Sequence, residues 1–321
     1  MIKTPYYLID KSKLKQNMER IAYVREHSGA KALLALKCFA TWSVFDFMSE
    51  YMDGTTSSSL NEVKLGRLKF GGETHAYSVA YADDEIEEVL HNSDKIIFNS
   101  ISQLTRFSDA SADTVRGLRL NPGVSSSDFL IADPSRPFSR LGEWDATKIE
   151  AVLPLISGFM RHNNCENGDF ALFDQMLGQI EERFGHLLQQ VEWVSLGGGI
   201  HFTGDDYPVD LFCARLKAFS EKYGVQVYLE PGEAAITLST SLEVTVLDTL
   251  YNGKQLAVVD SSIEAHMLDL LIYRQDARMA PCDGPHQYMV CGKSCLAGDI
   301  FGEFQFDREL NVGDRLSFID A

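Results

Sequence analysis

No run of apolar residues in this chain approaches the roughly twenty needed to cross a bilayer as a helix. The opening residues, MIKTPYYLIDKSK, hold no apolar signal core either. A cytoplasmic protein with no membrane partner is therefore expected. Basic residues are scarce: 29 Lys and Arg stand against 46 Asp and Glu, a formal net charge of −17. Phosphate backbones need lysine- and arginine-rich surfaces, so nucleic acid is not an expected partner. The same acidity would draw a small polycation towards the protein. Six cysteines (Cys38, Cys165, Cys213, Cys282, Cys291 and Cys295) occur without any C-x-x-C or other metal-ligand spacing. They read as reduced thiols, and no metal site is expected. Short repeats and low-complexity segments are missing as well.

What is there is organised around residues 31–40, KALLALKCFA. Five consecutive apolar residues, Ala32 to Leu36, are too few for a membrane and too continuous for an amphipathic helix. That pattern suits a strand buried on both faces, as in a parallel sheet. The run ends on Lys37. An amine at the carboxyl end of a buried strand sits at the mouth of an apolar site, where desolvation favours the neutral, nucleophilic form. A surface lysine whose stem covers the strand end is the other reading of this stretch.

Seven further short apolar segments follow, at 52–56, 74–80, 95–99, 115–120, 157–162, 191–196 and 225–230, with helical patterns between them. The clearest helix signals are Asp10 as an N-cap, Ser59 with Glu62 as a capping box, and the amphipathic stretch 169–190. The connection from 121 to 143 is long and polar, well beyond an ordinary loop, and reads as functional. Eight strands alternating with helices predict a parallel (β/α)8 TIM-type barrel over residues 10–235. The competing doubly wound sheet lacks its G-x-G-x-x-G fingerprint after the first strand. Beyond Pro231 the pattern changes to a hairpin signal at Tyr251-Asn252-Gly253-Lys254 and further strand-like pieces at 287–290 and 315–319. Residues 236–321, joined by 1–9, read as a β-sandwich-like domain.

The strand ends converge on one rim of such a barrel. Lys37 ends the first strand, Arg119 the fifth, His162 the sixth and Glu230 the eighth, while Gly197, Gly198 and Gly199 follow the seventh. Each has an ordinary reading alone: a triple glycine makes tight turns, a histidine satisfies a core, a glutamate caps a turn. Together they offer an amine, a glycine cradle at the usual phosphate site of this fold, a flat ring and a carboxylate. Pyridoxal 5′-phosphate needs each of these.

The motifs also carry a resemblance. TPYYLID at 4–10, ALKCF at 35–39, GTTSSSLNEV at 54–63, NPGVS at 121–125 and SRLGE at 139–143 are followed by LGGGIH at 196–201. EPGEA at 230–234, SIEAHMLD at 262–269 and CLAGDIFGE at 295–303 complete the set. The chain resembles the fold-type III, alanine racemase-like family of pyridoxal-phosphate decarboxylases, and within it the branch that acts on carboxylated polyamines. EPGEA and CLAGD are specific to that branch; the wider family usually carries arginine where Glu233 stands. In the family a histidine-tyrosine-threonine stretch, whose tyrosine helps bind phosphate, normally lies beyond the point matched by Asp320-Ala321.

That resemblance implies a lyase of polyamine biosynthesis releasing norspermidine or spermidine. Lys37 bonds the cofactor and His162 stacks on its ring. Gly197, Gly198 and Gly199 hold its phosphate, and Glu230 partners the pyridine nitrogen with Arg119 nearby. Glu233 and Asp269 hold substrate amines, with Asp299 also counted among the substrate-binding residues. Cys295 is the expected proton donor, and Cys295 with Asp299 reaches into the neighbouring subunit's site, so a homodimer is implied. One departure is Arg161, a cation where the family carries an apolar or aromatic residue; strand alternation points it away from the cofactor. The other readings are a diaminopimelate or basic amino-acid decarboxylase, a non-catalytic pyridoxal-phosphate carrier, and a barrel with no cofactor.

Overall fold

The computed structural model describes residues 2–127 and 129–321. The chain divides into two compact units, one holding residues 16–236 and the other holding the start of the chain up to Lys15 together with Thr237–Ala321.

The first strand, β1 (Tyr6–Ile9), belongs to the smaller unit. The larger unit is a closed barrel of eight strands. These are β2 (Lys31–Ala35), β3 (Gly54–Ser57), β4 (Glu73–Ser78), β5 (Lys95–Phe98), β6 (Val115–Arg119), β7 (Gly158–Met160), β8 (Trp193–Ser195) and β9 (Gln226–Leu229). Every neighbouring pair is parallel, and β9 returns to β2 with Tyr228 opposite Lys31. All eight segments read from the sequence are therefore strands, with ends that differ from the reading by one or two residues, as at Gly54–Ser57 and Glu73–Ser78.

The barrel interior is filled by Leu33, Ile97, Met160, Trp193 and Tyr228. Trp193 fits because its neighbours are glycines: a Cβ on Gly158 would lie 2.0 Å from the indole and one on Gly117 2.5 Å from it. Outside, the helix Phe170–Leu188 buries Phe173, Met176, Leu177, Ile180, Phe184 and Leu187, the three-and-four spacing of one helical face. Asp169 caps it by accepting the Ala171 N–H at 2.7 Å, an interaction worth about 1 kcal/mol. The capping box at helix Leu60–Leu65 is shifted by one residue. Ser59 accepts from the Glu62 N–H, but Glu62 Oε2 takes the N–H of Ser58 rather than that of Ser59.

The smaller unit is one six-stranded sheet around its own core. It adds β10 (Thr240–Tyr251), β11 (Gln255–Val259), β12 (His286–Cys291), β13 (Ile300–Phe306) and β14 (Arg315–Ile319), in the order β1-β10-β11-β12-β13 with β14 also on β10. The hairpin sits where Asn252-Gly253 predicts it, with Tyr251 opposite Gln255 and Gly253 at φ +71°. The sequence reading did not single out β13. It contains Gly302 at φ +141°, and Glu303 and Gln305 dilute the apolar pattern. Packing decides the matter: Phe301 stacks on Phe318 with ring centroids 4.5 Å apart.

The long loop after β6 is tied down by two asparagines. Asn121 donates to the carbonyls of Leu141 and Pro134, and its own Oδ1 accepts the Gly123 N–H. Asn99, just past β5, donates to the Arg140 carbonyl and accepts the Gly142 N–H. Among the described residues no helix is long and apolar enough to cross a membrane.

Candidate active site

Parallel strands deliver their carboxyl ends to one rim, so the residues just past β2, β6, β7, β8 and β9 meet there. Lys37 lies two residues beyond β2, and its Nζ is 3.4 Å from Nε2 of His162, two residues beyond β7. Arg119, the last residue of β6, is buried and donates through Nη2 to the His162 carbonyl at 3.2 Å. Its Nη1 donates to the Tyr77 hydroxyl, and that hydroxyl donates to Asn99 Oδ1 at 2.9 Å. Glu230, the first residue past β9, is buried and accepts the Ser195 hydroxyl on Oε1 at 2.6 Å.

These groups line two spaces that share Lys37, Tyr77, Arg119 and His162. A cavity of about 360 Å³ is lined by Lys37, Tyr77, Arg119 and His162, with Ala132, Pro134 and Leu141 of the long loop on its wall. A small recess of about 30 Å³ lies between Lys37, Tyr77, Arg119, His162, Gly198 and Glu230. The larger volume is in the range of small-molecule sites.

The glycine turn is required by its neighbours before any ligand is considered. Gly197 and Gly199 sit at φ +70° and +74°. A Cβ on Gly198 would lie 2.2 Å from the Glu230 carbonyl oxygen, and one on Gly199 2.2 Å from that of Asn164. The turn also orients His162, whose Nδ1 accepts the Gly198 N–H at 3.1 Å. With Nδ1 an acceptor, the neutral ring carries its proton on Nε2, the nitrogen that faces Lys37.

Electrostatics match that arrangement. Burial pushes His162 well below the usual histidine range, and the charges of Lys37, Arg119 and Arg161 push the same way. Lys37 is lowered, chiefly by desolvation, with Glu230 opposing and Arg119 adding to the shift. Glu230 is raised by burial, against the pull of Ser195, Lys37 and Arg119. The rim thus holds an amine pushed towards neutrality and a carboxyl group pushed towards protonation. Perturbed groups of this kind concentrate at catalytic sites.

Arg161 behaves as strand alternation predicts. It points away from Lys37, lies over the Phe173 ring at 5.8 Å and donates to Asn163 Oδ1. Full burial lowers its guanidinium to about 9.

The remaining candidates stand elsewhere. Glu233 opens the short helix Glu233–Ile236 after β9, half exposed, with Oε2 3.2 Å from Nε2 of His201 just past the glycine turn. Asp269, Cys295 and Asp299 belong to the sheet unit. Asp269 is exposed on helix Leu268–Tyr273, and Cys295 is an exposed free thiol. Asp299 is buried with both oxygens occupied: Oδ1 accepts the Ile263 N–H at 2.9 Å and Oδ2 the Ser294 N–H at 3.0 Å. Its carbonyl accepts the Gly292 N–H at 2.9 Å, so Asp299 braces the loop that carries Cys295. Sequence reasoning missed Tyr77 and Ser195. The available signal for Ser195 was a hydroxyl ending an otherwise apolar buried strand.

A barrel rim of this composition, in a chain that also carries a separate antiparallel-rich sheet unit, defines a class. The family model for the C-terminal sheet domain of pyridoxal-dependent decarboxylases matches residues 76–321, and the chain belongs to that family of decarboxylases. Among its relatives, the carboxynorspermidine/carboxyspermidine decarboxylase of Herminiimonas arsenicoxydans is 63% identical over 321 residues, covering 100% of this chain and 88% of that protein. A carboxyaminopropylagmatine decarboxylase of a Synechocystis species is 35% identical, over 99% of this chain and 84% of that protein. Among solved structures, carboxynorspermidine decarboxylase of Campylobacter jejuni complexed with norspermidine superposes with a TM-score of 0.90 at 39% identity, covering 99% of this chain and 88% of that one.

The residues present fit pyridoxal phosphate. The recess places the Lys37 amine, the His162 ring, the Gly198 backbone and the buried Glu230 carboxyl around one space. Two polar groups there are under-used among the described residues: Arg119 Nε has no partner, and Glu230 is engaged only through Oε1.

Proposed function

We propose that this chain decarboxylates carboxynorspermidine and carboxyspermidine to norspermidine and spermidine, acting as a cytoplasmic homodimer with pyridoxal phosphate at Lys37. The observation that carries the reading is the Lys37 amine, lowered by desolvation and 3.4 Å from a neutral His162, on the same rim as the buried Glu230. The 63% identical relative supports the choice of substrate.

Lys37 would hold the cofactor covalently, His162 would face its ring, the turn at Gly197, Gly198 and Gly199 would hold its phosphate, and Glu230 would meet its ring nitrogen. When bound, pyridoxal phosphate supplies the electron sink for the pair left behind by departing carbon dioxide. The chain's own residues do the rest. The lowered affinity of Lys37 for protons favours its neutral amine, the form that acts as nucleophile. Glu230, shielded from water, keeps a proton at the ring nitrogen because no bulk solvent competes for it. Arg119 fixes the position of His162 through its carbonyl and brings a positive charge to the recess that Glu230 also lines.

Glu233 and Asp269 would read the distal ammonium groups of the substrate, consistent with a formal charge of −17. Cys295 would donate the proton that replaces carbon dioxide, reaching the partner's site on the loop that Asp299 braces. In this proposal Asp299 contributes to substrate binding through that loop rather than by an oxygen of its own.

The test is release of carbon dioxide from carboxynorspermidine, carboxyspermidine and diaminopimelate by the purified protein, together with borohydride fixation of the cofactor. Turnover of the two polyamines and label on Lys37 alone are expected. Label on another lysine, or preferred turnover of diaminopimelate, would overturn the assignment.

A further inference from the structure

Ser195 is the last residue of β8 and has no exposed surface. A hydroxyl sealed away from water must spend its hydrogen bonds on protein. Its oxygen accepts the Gly197 N–H at 3.2 Å, and its single proton therefore goes to Glu230 Oε1 at 2.6 Å. The circuit then closes, because the Glu230 N–H donates to the Gly197 carbonyl at 2.9 Å. Three residues from two adjacent strand ends thus form one ring: carboxylate, hydroxyl and glycine turn. Neither the Glu230 carboxylate nor the turn can shift without breaking a buried bond.

The direction of the proton matters. A hydroxyl that donates to a carboxylate stabilises the ionised form over the protonated one, which has less charge to offer the donor. Burial acts on Glu230 in the opposite sense. Ser195 is placed to offset that cost, and it does so on one named oxygen, leaving Oε2 for a ligand in the recess that Glu230 lines.

We propose that Ser195 is a positioning residue that keeps Glu230 ionised and aimed into the recess, coupling the carboxylate to the glycine turn through this ring. The inference rests on the proposed role of Glu230 and adds the group that controls it. A charge-assisted bond of this kind shifts a carboxyl group by about 1–2 pH units. Removing the donor raises the Glu230 affinity for protons, so activity that needs ionised Glu230 is lost at a higher pH on acidification.

The experiment compares Ser195→Ala, Ser195→Thr and Glu230→Gln holoenzymes by pH profile of kcat, by pH titration of the visible band of the lysine-bound cofactor, and by melting temperature. In Ser195→Ala the acid limb and the spectral midpoint should both move up by about 1 pH unit, with the melting temperature changed by only a few degrees. Ser195→Thr, which keeps the hydroxyl, should restore both; if Ser195→Ala does not fold, Ser195→Cys takes its place with the same expected shift. Unmoved limbs in the folded variant, or a fall in melting temperature with no shift in either titration, would assign Ser195 a purely structural part. Glu230→Gln separates the two claims. If it abolishes turnover while Ser195→Ala shifts nothing, only the inference about Ser195 fails; if it leaves turnover intact, the proposed role of Glu230 fails with it.

Discussion

The two ends of the barrel are built from nearly the same side chains and do opposite things. At the amino-terminal end, Glu73, Lys31 and Lys95 each open a strand and meet around one carboxylate. Glu73 Oε1 pairs with Lys31, and Oε2 takes Lys95 at 2.7 Å and the Tyr228 hydroxyl at 2.9 Å. His75 adds a contact to Oε2 at 3.2 Å. At the carboxyl-terminal end the set is Lys37, Arg119, Glu230, His162 and Tyr77. Burial tends to raise both carboxylates, but hydrogen bonds from His75, Lys31 and Lys95 outweigh it and hold Glu73 far below the usual range. Glu230, with one hydroxyl donor and its cations at a distance, stays raised. Saturated pairing makes a structural plug, and incomplete pairing leaves groups with charge and protons to trade.

The largest effect that would sharpen this contrast is on Lys37. Lys37→Ala should take turnover to the detection limit and abolish the visible band of bound cofactor, with the melting temperature of the apoprotein unchanged or raised. The residue is solvent-exposed and its amine forms no ion pair among the described residues, so its removal leaves no buried charge unpaired. A variant still holding reducible cofactor would break the comparison at the rim.

Glu73→Gln should do the reverse. Turnover should stay near normal while stability falls by about 2 kcal/mol, or about 4–8 °C in melting temperature, since two lysines lose their carboxylate. The pH dependence follows from the sign of the shift. The folded-state pKa is depressed, so Glu73 contributes stability that is fully present above the ordinary carboxyl value of 4.5 and is lost as pH falls below it. The wild-type protein should therefore lose stability on acidification below about pH 4.5 more steeply than Glu73→Gln. Parallel acid-unfolding curves by circular dichroism would show that the plug contributes nothing.

The smallest effect is expected at Arg161, a buried guanidinium with no carboxylate partner among the described residues. Exchange of an uncompensated buried charge for an apolar side chain of similar length is commonly neutral or stabilising. Arg161→Met should keep or raise the melting temperature, whereas the same measurement on Glu73→Gln shows a fall. A drop of more than about 4 °C would mean that the guanidinium is compensated after all.

Much of this was legible in the sequence, and the reasons differ by element. The barrel strands are short and largely buried, and runs such as Lys31–Ala35 and Lys95–Phe98 stand out although Gly54–Ser57 holds no apolar side chain, so the rim residues followed from where the runs stop. Lys37, Arg119, His162 and Glu230 were found because a charge ending an apolar run is conspicuous. Tyr77 was not, because an aromatic inside a strand reads as core. The plug was invisible for a related reason: Lys31, Glu73 and Lys95 are the first residues of their strands and look like ordinary solvated ends until closure of the barrel brings them to one point. Strand β13 was hidden by Gly302, whose backbone freedom outweighs its neighbours in any local reading. Asp299 shows a further limit. Its motif marks it as a site residue, yet its oxygens face the Ile263 and Ser294 amides, which no spacing reveals.

The indole of Trp193 has a consequence for how this barrel can vary. Gly117 and Gly158, on the two strands preceding β8, each lie within 2.5 Å of it once given a Cβ. The three positions therefore share a single allotment of volume in the barrel centre. A methyl group at 158 has nowhere to go while the indole is present, and shrinking the indole alone opens a hole beside two bare backbones. Change at these sites is therefore coupled: a side chain at 117 or 158 requires a smaller ring at 193.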